Sequence, residues 1–291
     1  MVVTVGRSPL SFRAAPRHRG HDHHRKPARA RKWYQSLILP ALEQRSVVLR
    51  HLQPARTTAP SVHLPKITDG SVGWFAEGSV IDDVGAAADM IEVVPKKVAG
   101  IATISNESVA DSGAADLIGQ TLARSLALAV DTSFFLTKVS GPVSLAAATV
   151  TAHDASPTSG LDVWVDAATI MESAGSQPSV IFLSPLDRAI LAKIKEATGS
   201  NKPVLVPPAT PGVAADGSLN GVPAEICSAI PQRTGYLIDG ERVGAVIRTD
   251  GNVAVDGSAG FASDVTLMRV TGRFGGAVIY PDSVVRIKDV A

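Results

Sequence analysis

His21, His23 and His24 stand around Asp22 within four positions, and imidazoles so spaced are able to take a transition metal, although nothing local fixes their geometry. They sit inside a longer cationic run. Residues 1–32 also hold Arg7, Arg13, Arg17, His18, Arg19, Arg25, Lys26, Arg29, Arg31 and Lys32, opposed by Asp22 alone. Such a stretch has too little apolar surface to offset its ordering entropy and is expected to be disordered in isolation. Three readings stay open for it: a solvated tail or an upstream extension from a misassigned start, an arm whose cations release counterions from nucleic acid, and a metal site.

Signatures of catalysis are missing elsewhere. The glycine-containing stretches 251–260 and 272–276 form neither GxxxxGK[ST] nor GxGxxG ahead of a helix, so no phosphate cradle is indicated. There is no GxSxG and no HExxH. His153 falls in an expected loop with no triad partner suggested by spacing, while Asp82, Asp83 and Glu241 read as solvated turn residues rather than an acid–base pair. The single cysteine, Cys227, excludes an internal disulfide and a multi-cysteine metal site, and its apolar surroundings, residues 224–230, predict a buried, inert thiol. No enzymatic activity and no cofactor are expected.

The elements that position these residues are clearer than the chemistry. The chain has 291 residues, 45% hydrophobic, 19% charged and 4% aromatic, enough for one large or two ordinary domains with a core of Val, Ala, Leu and Ile. The formal net charge of +1 conceals a basic beginning and a net acidic remainder. No apolar run approaches the ~20 residues that cross a bilayer, and residues 1–20 lack a secretory signal pattern. Residues 95–136 are the organising stretch. Val98, Ile101 and Ile104 predict a half-buried strand, Asp111, Ser112 and Asp116 a helix start, and residues 114–136 one long helix. That helix is expected to bury Ile118, Leu122, Leu126, Ala129 and Phe135, with Gln120, Arg124 and Asp131 on its polar side.

Further elements follow in order. Residues 33–52 suggest a short extended segment and then a helix or strand that docks elsewhere, with Leu37, Ile38 and Leu39 packing either on a neighbour or on their own domain. Residues 56–80 predict a long hairpin turning at residues 68–71 and returning through Val72, Trp74 and Ala76. Residues 141–159 read as a surface connection. Next come a helix at 161–174, a buried strand at 179–183, and a helix at 186–196 capped by Ser184 and opened by Pro185, with Leu186, Ile190, Leu191 and Ile194 inward and Asp187, Arg188, Lys193 and Lys195 outward. A Pro-rich loop at 204–218 precedes strands at 219–227, 234–238 and 243–248. Residues 262–287 predict closing strands with Gly275 and Gly276 as a hairpin turn.

The lysine pair of PKKVAG, the ISNES turn, the long Ala/Leu helix ending in Asp131, WFAEG and SVIFLSPLDRAILAKIKEATG, met in this order, resemble major capsid proteins of tailed bacteriophages with the HK97-type fold. The resemblance implies an α+β, HK97-like subunit: a basic tail (1–32), an N-terminal arm (33–55), an extended hairpin loop (56–80), a peripheral domain with a spine helix (81–150 and part of 250–291) and an axial domain (151–250). It implies self-assembly into pentamers and hexamers of an icosahedral shell around double-stranded DNA. The protein would then reside in the virion, or in the host cytoplasm during assembly, with scaffold, portal and decoration proteins as candidate partners and no membrane. Leu37, Ile38, Leu39, Lys66, Trp74, Phe75 and Glu77 become intersubunit contacts. Arg17, Arg19, Arg25, Lys26, Arg29, Arg31 and Lys32 become cations facing nucleic acid or scaffold, and the capsid-like remainder argues against reading that tail as an organelle transit peptide. Some relatives join a hairpin lysine to a distant asparagine with help from a glutamate. Here Lys66 and Asn252 are the matching positions, but Asp256 stands where a glutamate is wanted, which weighs against a crosslink. Two rivals share parts of the pattern: an encapsulin-type shell around enzyme cargo, and an α+β cellular enzyme.

Overall fold

The computed structural model describes residues 39–52, 54–68, 74, 77, 87–107, 114–136, 145, 150–195, 199 and 218–289. The basic tail, Leu37, Ile38, Phe75, Asp82, Asp83 and the Pro-rich loop through 217 lie outside these residues, as do the helix-start residues Asp111 and Ser112.

Helix α1 (Leu39–Arg45) and helix α2 (Val47–His51) open the described chain, followed by the short strand β1 (Ala55–Thr57). Strands β2 (Val62–Thr68) and β3 (Ala87–Val93) form a two-stranded antiparallel ribbon, and β4 (Lys96–Ser105) leads toward the spine helix α3 (Ala114–Phe135). At 22 residues α3 is about 33 Å long. It lies along one face of a four-stranded sheet of order β1-β10-β11-β4, in which β10 spans Val243–Gly260 and β11 spans Val265–Val278. Residues alternate along these strands as a one-sided sheet requires. Met268, Val270 and Phe274 are buried and Val98, Ala102 and Ile104 pack with them toward α3, whereas Arg269 and Arg273 stay exposed.

The second sheet has six strands in the order β5-β12-β9-β6-β8-β7: β5 (Thr151–Asp154), β6 (Val180–Leu183), β7 (Ser218–Leu219), β8 (Val222–Ile226), β9 (Thr234–Ile238) and β12 (Val284–Lys288). Helix α4 (Asp162–Ser173) and helix α5 (Pro185–Leu191) accompany it. Its middle strands, β6 and β9, are buried at every position because both faces are covered. Ile181, Leu183, Leu237 and Val285 join Trp164 and Met171 of α4, while Val180, Phe182, Tyr236 and Ile238 point into the core shared with α3. Phe135, at the end of α3, meets Phe134, Phe182 and Tyr236 with ring centroids 5.3–5.4 Å apart, locking the spine to the six-stranded sheet. Burial pushes the Tyr236 hydroxyl up to about 12.

The long helix, β4, α4, β6, β9 and the Ser184 cap fall where the sequence places them. Five features differ, besides the returning strand of the hairpin described below. The segment after Leu39 does not dock elsewhere: Leu42, Val48, Leu49 and Leu52 are buried in the core beside α3. Asp131 is not on a solvated face but 4% exposed, accepting from Ser46 Oγ at 2.6 Å and from the N–H groups of Val47 and Val48 at 3.2 Å. It thereby satisfies the free donors at the start of α2. The connection at 141–159 contains β5, paired in parallel with β12. Helix α5 ends at Leu191 and is rotated relative to expectation: Leu191 is buried and Ile194 packs on the core as expected, but Asp187 is buried and Leu186 and Ile190 are about half exposed. Ser184 and Asp187 explain this. The serine hydroxyl accepts from the Asp187 N–H and donates to its carboxylate at 2.8 Å, and that carboxylate accepts from the Arg233 N–H, so the first turn is tied inward.

The fifth difference is Gly275–Gly276, which continues β11 instead of turning; the β10–β11 turn is at residues 261–264. A Cβ on Gly275 would lie 2.7 Å from Val93 and 3.2 Å from the backbone of Pro95, and one on Gly244 would overlap Leu64. These glycines make a notch in the sheet into which the root of the hairpin fits.

Candidate intersubunit surfaces

The hairpin pairs in one unbroken register from Val62 with Val93 to Thr68 with Ala87. Its descending strand is therefore residues 87–93, not Val72, Trp74 and Ala76 as the turn signal at 68–71 suggests. Trp74 and Glu77 belong to the connection between the strands. The two faces differ. Val62, Leu64 and Lys66 are half-buried on the side that meets the notch, whereas Ile67 and Met90 are 53% and 70% exposed. Tyr280 meets the edge of β2, its hydroxyl accepting from the Ile67 N–H at 3.0 Å and donating to the Ile67 carbonyl at 2.8 Å. A two-stranded ribbon exposing apolar side chains is poorly stable alone and gains from lying on another surface.

Trp74 is fully exposed, which removes it from the core of its own chain, and Glu77 is exposed too. Lys66 faces Asp89 across the hairpin. Asn252 lies on β10 opposite Thr271, in a different sheet, and its side-chain oxygen is buried without a hydrogen-bond partner. Leu39 begins α1. Other exposed apolar side chains were not expected from sequence: Leu117 and Leu128 on the outer side of α3, Val165 on α4, and Leu186 and Ile190 on α5. The Ser-x-x-Asp spacing at 184–187 was the signal for the last pair, since a capping box fixes which side of a helix turns inward.

The residues considered for chemistry are scattered. His153 is on β5 and Glu241 in the β9–β10 turn. Cys227 is buried, and burial pushes its thiol up to about 11, so the thiolate is scarce at neutral pH. Among the described residues no group of three metal-ligating side chains comes together, and no helix is long and apolar enough to cross a membrane.

A spine helix across a four-stranded sheet, a ribbon projecting from that sheet and a second, six-stranded unit with its own helices define the HK97-like fold of shell-forming subunits. The chain belongs to the phage capsid family, whose model matches residues 30–289. No curated protein sequence matches it. Among solved structures it is similar to a chain of Mycobacterium phage Adephagia, with 17% identity and a TM-score of 0.64 over 84% of this chain and 90% of that one. The capsid of an empty GTA particle gives 18% and 0.65 over the same shares. A virus-like particle from Pyrococcus furiosus gives 14% and 0.59 over 88% and 98%. The protein is a capsid shell protein, with a structural role in the virion.

Proposed function

We propose that the chain is the major subunit of an icosahedral shell, assembling with itself into pentamers and hexamers that enclose double-stranded DNA. The observation that carries this reading is the hairpin, whose outward face exposes Ile67 and Met90, with Trp74 in its connection, as apolar surface that none of the described residues covers. A second copy of the subunit covers it, with Trp74, Phe75, Glu77 and Lys66 at the contact and Leu37, Ile38 and Leu39 as contacts from the N-terminal arm. The unit around α3 and the four-stranded sheet acts as the peripheral domain and the six-stranded unit as the axial domain. Large contacts repeated by symmetry make weak pairwise affinity sufficient for a stable particle. The nine Lys and Arg of residues 1–32, including Arg17, Arg19, Arg25, Lys26, Arg29, Arg31 and Lys32, face the packaged DNA or a scaffold during assembly in the host cytoplasm.

Electron microscopy of the purified protein tests the reading. Closed shells or capsomer rings are expected, and a monodisperse monomer under every assembly condition overturns it. Trp74→Ala is expected to raise the protein concentration needed for assembly at least about tenfold, the equivalent of about 1.4 kcal/mol per contact, while leaving the melting of the free subunit unchanged. Particles that hold nucleic acid protected from nuclease until they are opened fit a genome shell; a stoichiometric protein cargo would favour a nanocompartment instead. With Asp256 in place of a glutamate, particles dissolved in denaturing detergent are expected to run as monomer. A ladder of higher species would point to a Lys66–Asn252 bond.

A further inference from the structure

We propose that Tyr280 is a positioning residue that sets the direction in which the β2–β3 hairpin leaves the body of the subunit. Among the described residues strand β2 is paired with β3 on one side only, so its outward N–H and C=O groups form an open edge. The N–H and C=O of one strand residue point the same way, and at Ile67 both meet the single Tyr280 hydroxyl. At that residue the hydroxyl takes the place of a missing neighbouring strand. The tyrosine is itself anchored. Its carbonyl accepts from the Ser283 N–H at 3.0 Å and the Ser283 Oγ at 2.6 Å, and the Arg242 guanidinium lies 5.2 Å from its ring centre. Arg242 in turn donates to Ser176 Oγ at 3.2 Å and lies 3.8 Å from the Asp239 carboxylate. A continuous path thus runs from the six-stranded unit to the hairpin edge.

The geometry gives this contact leverage. Leu64, seated at Gly244, fixes one point of β2, and Ile67 lies three residues further out, about 10 Å along the strand. Two fixed points define a direction, whereas one leaves a hinge. Tyr280 is the outer point. The inference deepens the proposed function, because a hairpin that overlies a neighbouring copy must leave each subunit at the same angle for the shell to close uniformly.

Tyr280→Phe removes the hydroxyl and keeps the ring over Arg242. Ile67 is exposed, so water replaces the lost partner and the melting temperature is expected to stay unchanged. Exchange of the Ile67 amide is expected to become roughly tenfold faster. Spin labels at Met90→Cys and Glu172→Cys, read in labelled subunits diluted into unlabelled ones, are expected to show a distance distribution about twice as broad; buried Cys227 does not take the label. An unchanged exchange rate and an unchanged distribution overturn the proposal. In assembly the variant is expected to give particles of mixed size, and uniform wild-type particles would overturn the positioning role even if the free hairpin had loosened. Failure of the wild type to assemble would instead strike the shell reading, with the exchange and label measurements still deciding whether Tyr280 aims the hairpin.

Discussion

Trp164→Ala is expected to cost the free subunit about 3–5 kcal/mol of unfolding free energy, measured by urea denaturation. The indole is 1% exposed, the largest fully buried side chain among the described residues, and its N–H donates to the Pro157 carbonyl at 3.1 Å. It fills the space between α4 and the six-stranded sheet, where it packs in one cluster with Ala167, Met171, Leu183, Leu237, Val285 and Ile287. Nothing nearby can collapse into the gap cheaply, because the strands beneath are held from their other face by the core around α3. The ring presses so closely on Gly235 that a Cβ there would overlap it. Gly235→Ala is therefore destabilising in the wild type and much less so beside Trp164→Ala, a coupling that a double-mutant cycle reads directly. Val165→Ala, one residue along on the outward face, is expected to stay within about 0.5 kcal/mol. A loss below about 1 kcal/mol for Trp164→Ala would show that this cluster does not hold the six-stranded unit together.

What the sequence discloses and what it withholds divide along the range of the interactions involved. Helix α3, helix α4 and the Ser184–Pro185 start of α5 are written in period and cap residues a few positions apart, and they occur where expected. Strand β6 betrays itself by an unbroken apolar run, the mark of burial on both faces. By contrast, β5 is a polar tetrad whose only reason to be a strand is its pairing with β12, more than 130 residues later. Gly275–Gly276 has the composition of a turn, but the glycines serve a close approach by Val93 and Pro95 from another part of the chain. The Asp69–Gly70 pair invites a tight turn, and the pairing of β2 with residues 87–93 overrides it. Asp131 reads as one more polar residue on a helix because the amides it caps lie some 85 positions earlier. The fold class was nevertheless legible, since an ordered succession of weak features is harder to produce by chance than any one of them. The candidate surfaces were legible only in kind. Trp74 announces an anchor by its type, but a contact between copies leaves no complementary pattern within a single chain.

Asp131→Ala is the second large effect, expected at about 2–3 kcal/mol, because it leaves the Ser46 hydroxyl and two amides at the start of α2 without an acceptor in a dry interior. The pH dependence of a gentler variant tests the electrostatics. Desolvation holds the Asp131 carboxyl above its ordinary 3.8, outweighing the hydrogen bonds from Ser46, Val48 and Val47 and the more distant attraction of Arg50. A folded state that binds the proton more tightly than the unfolded chain is stabilised by acid. The contribution of this group is therefore fully present below about 3.8 and is lost as pH rises from there through the elevated folded value. Asp131→Asn cannot take up that proton. The stability advantage of the wild type over the asparagine variant, measured on free subunits by urea denaturation at each pH, is thus expected to widen on acidification and level off below about 3.8. If the advantage narrowed instead, the three donors would outweigh burial and the carboxylate would be a net stabiliser of the α2–α3 joint. Either way the measurement bears on the whole subunit, because α1 and α2 pack in the core beside α3, and Arg50 and His51 of α2 also reach Glu225 of the six-stranded sheet at 3.2 and 2.9 Å. A weakened start to α2 loosens a segment that touches both units, so Asp131→Ala particles are expected to fall apart at lower temperature than wild-type particles.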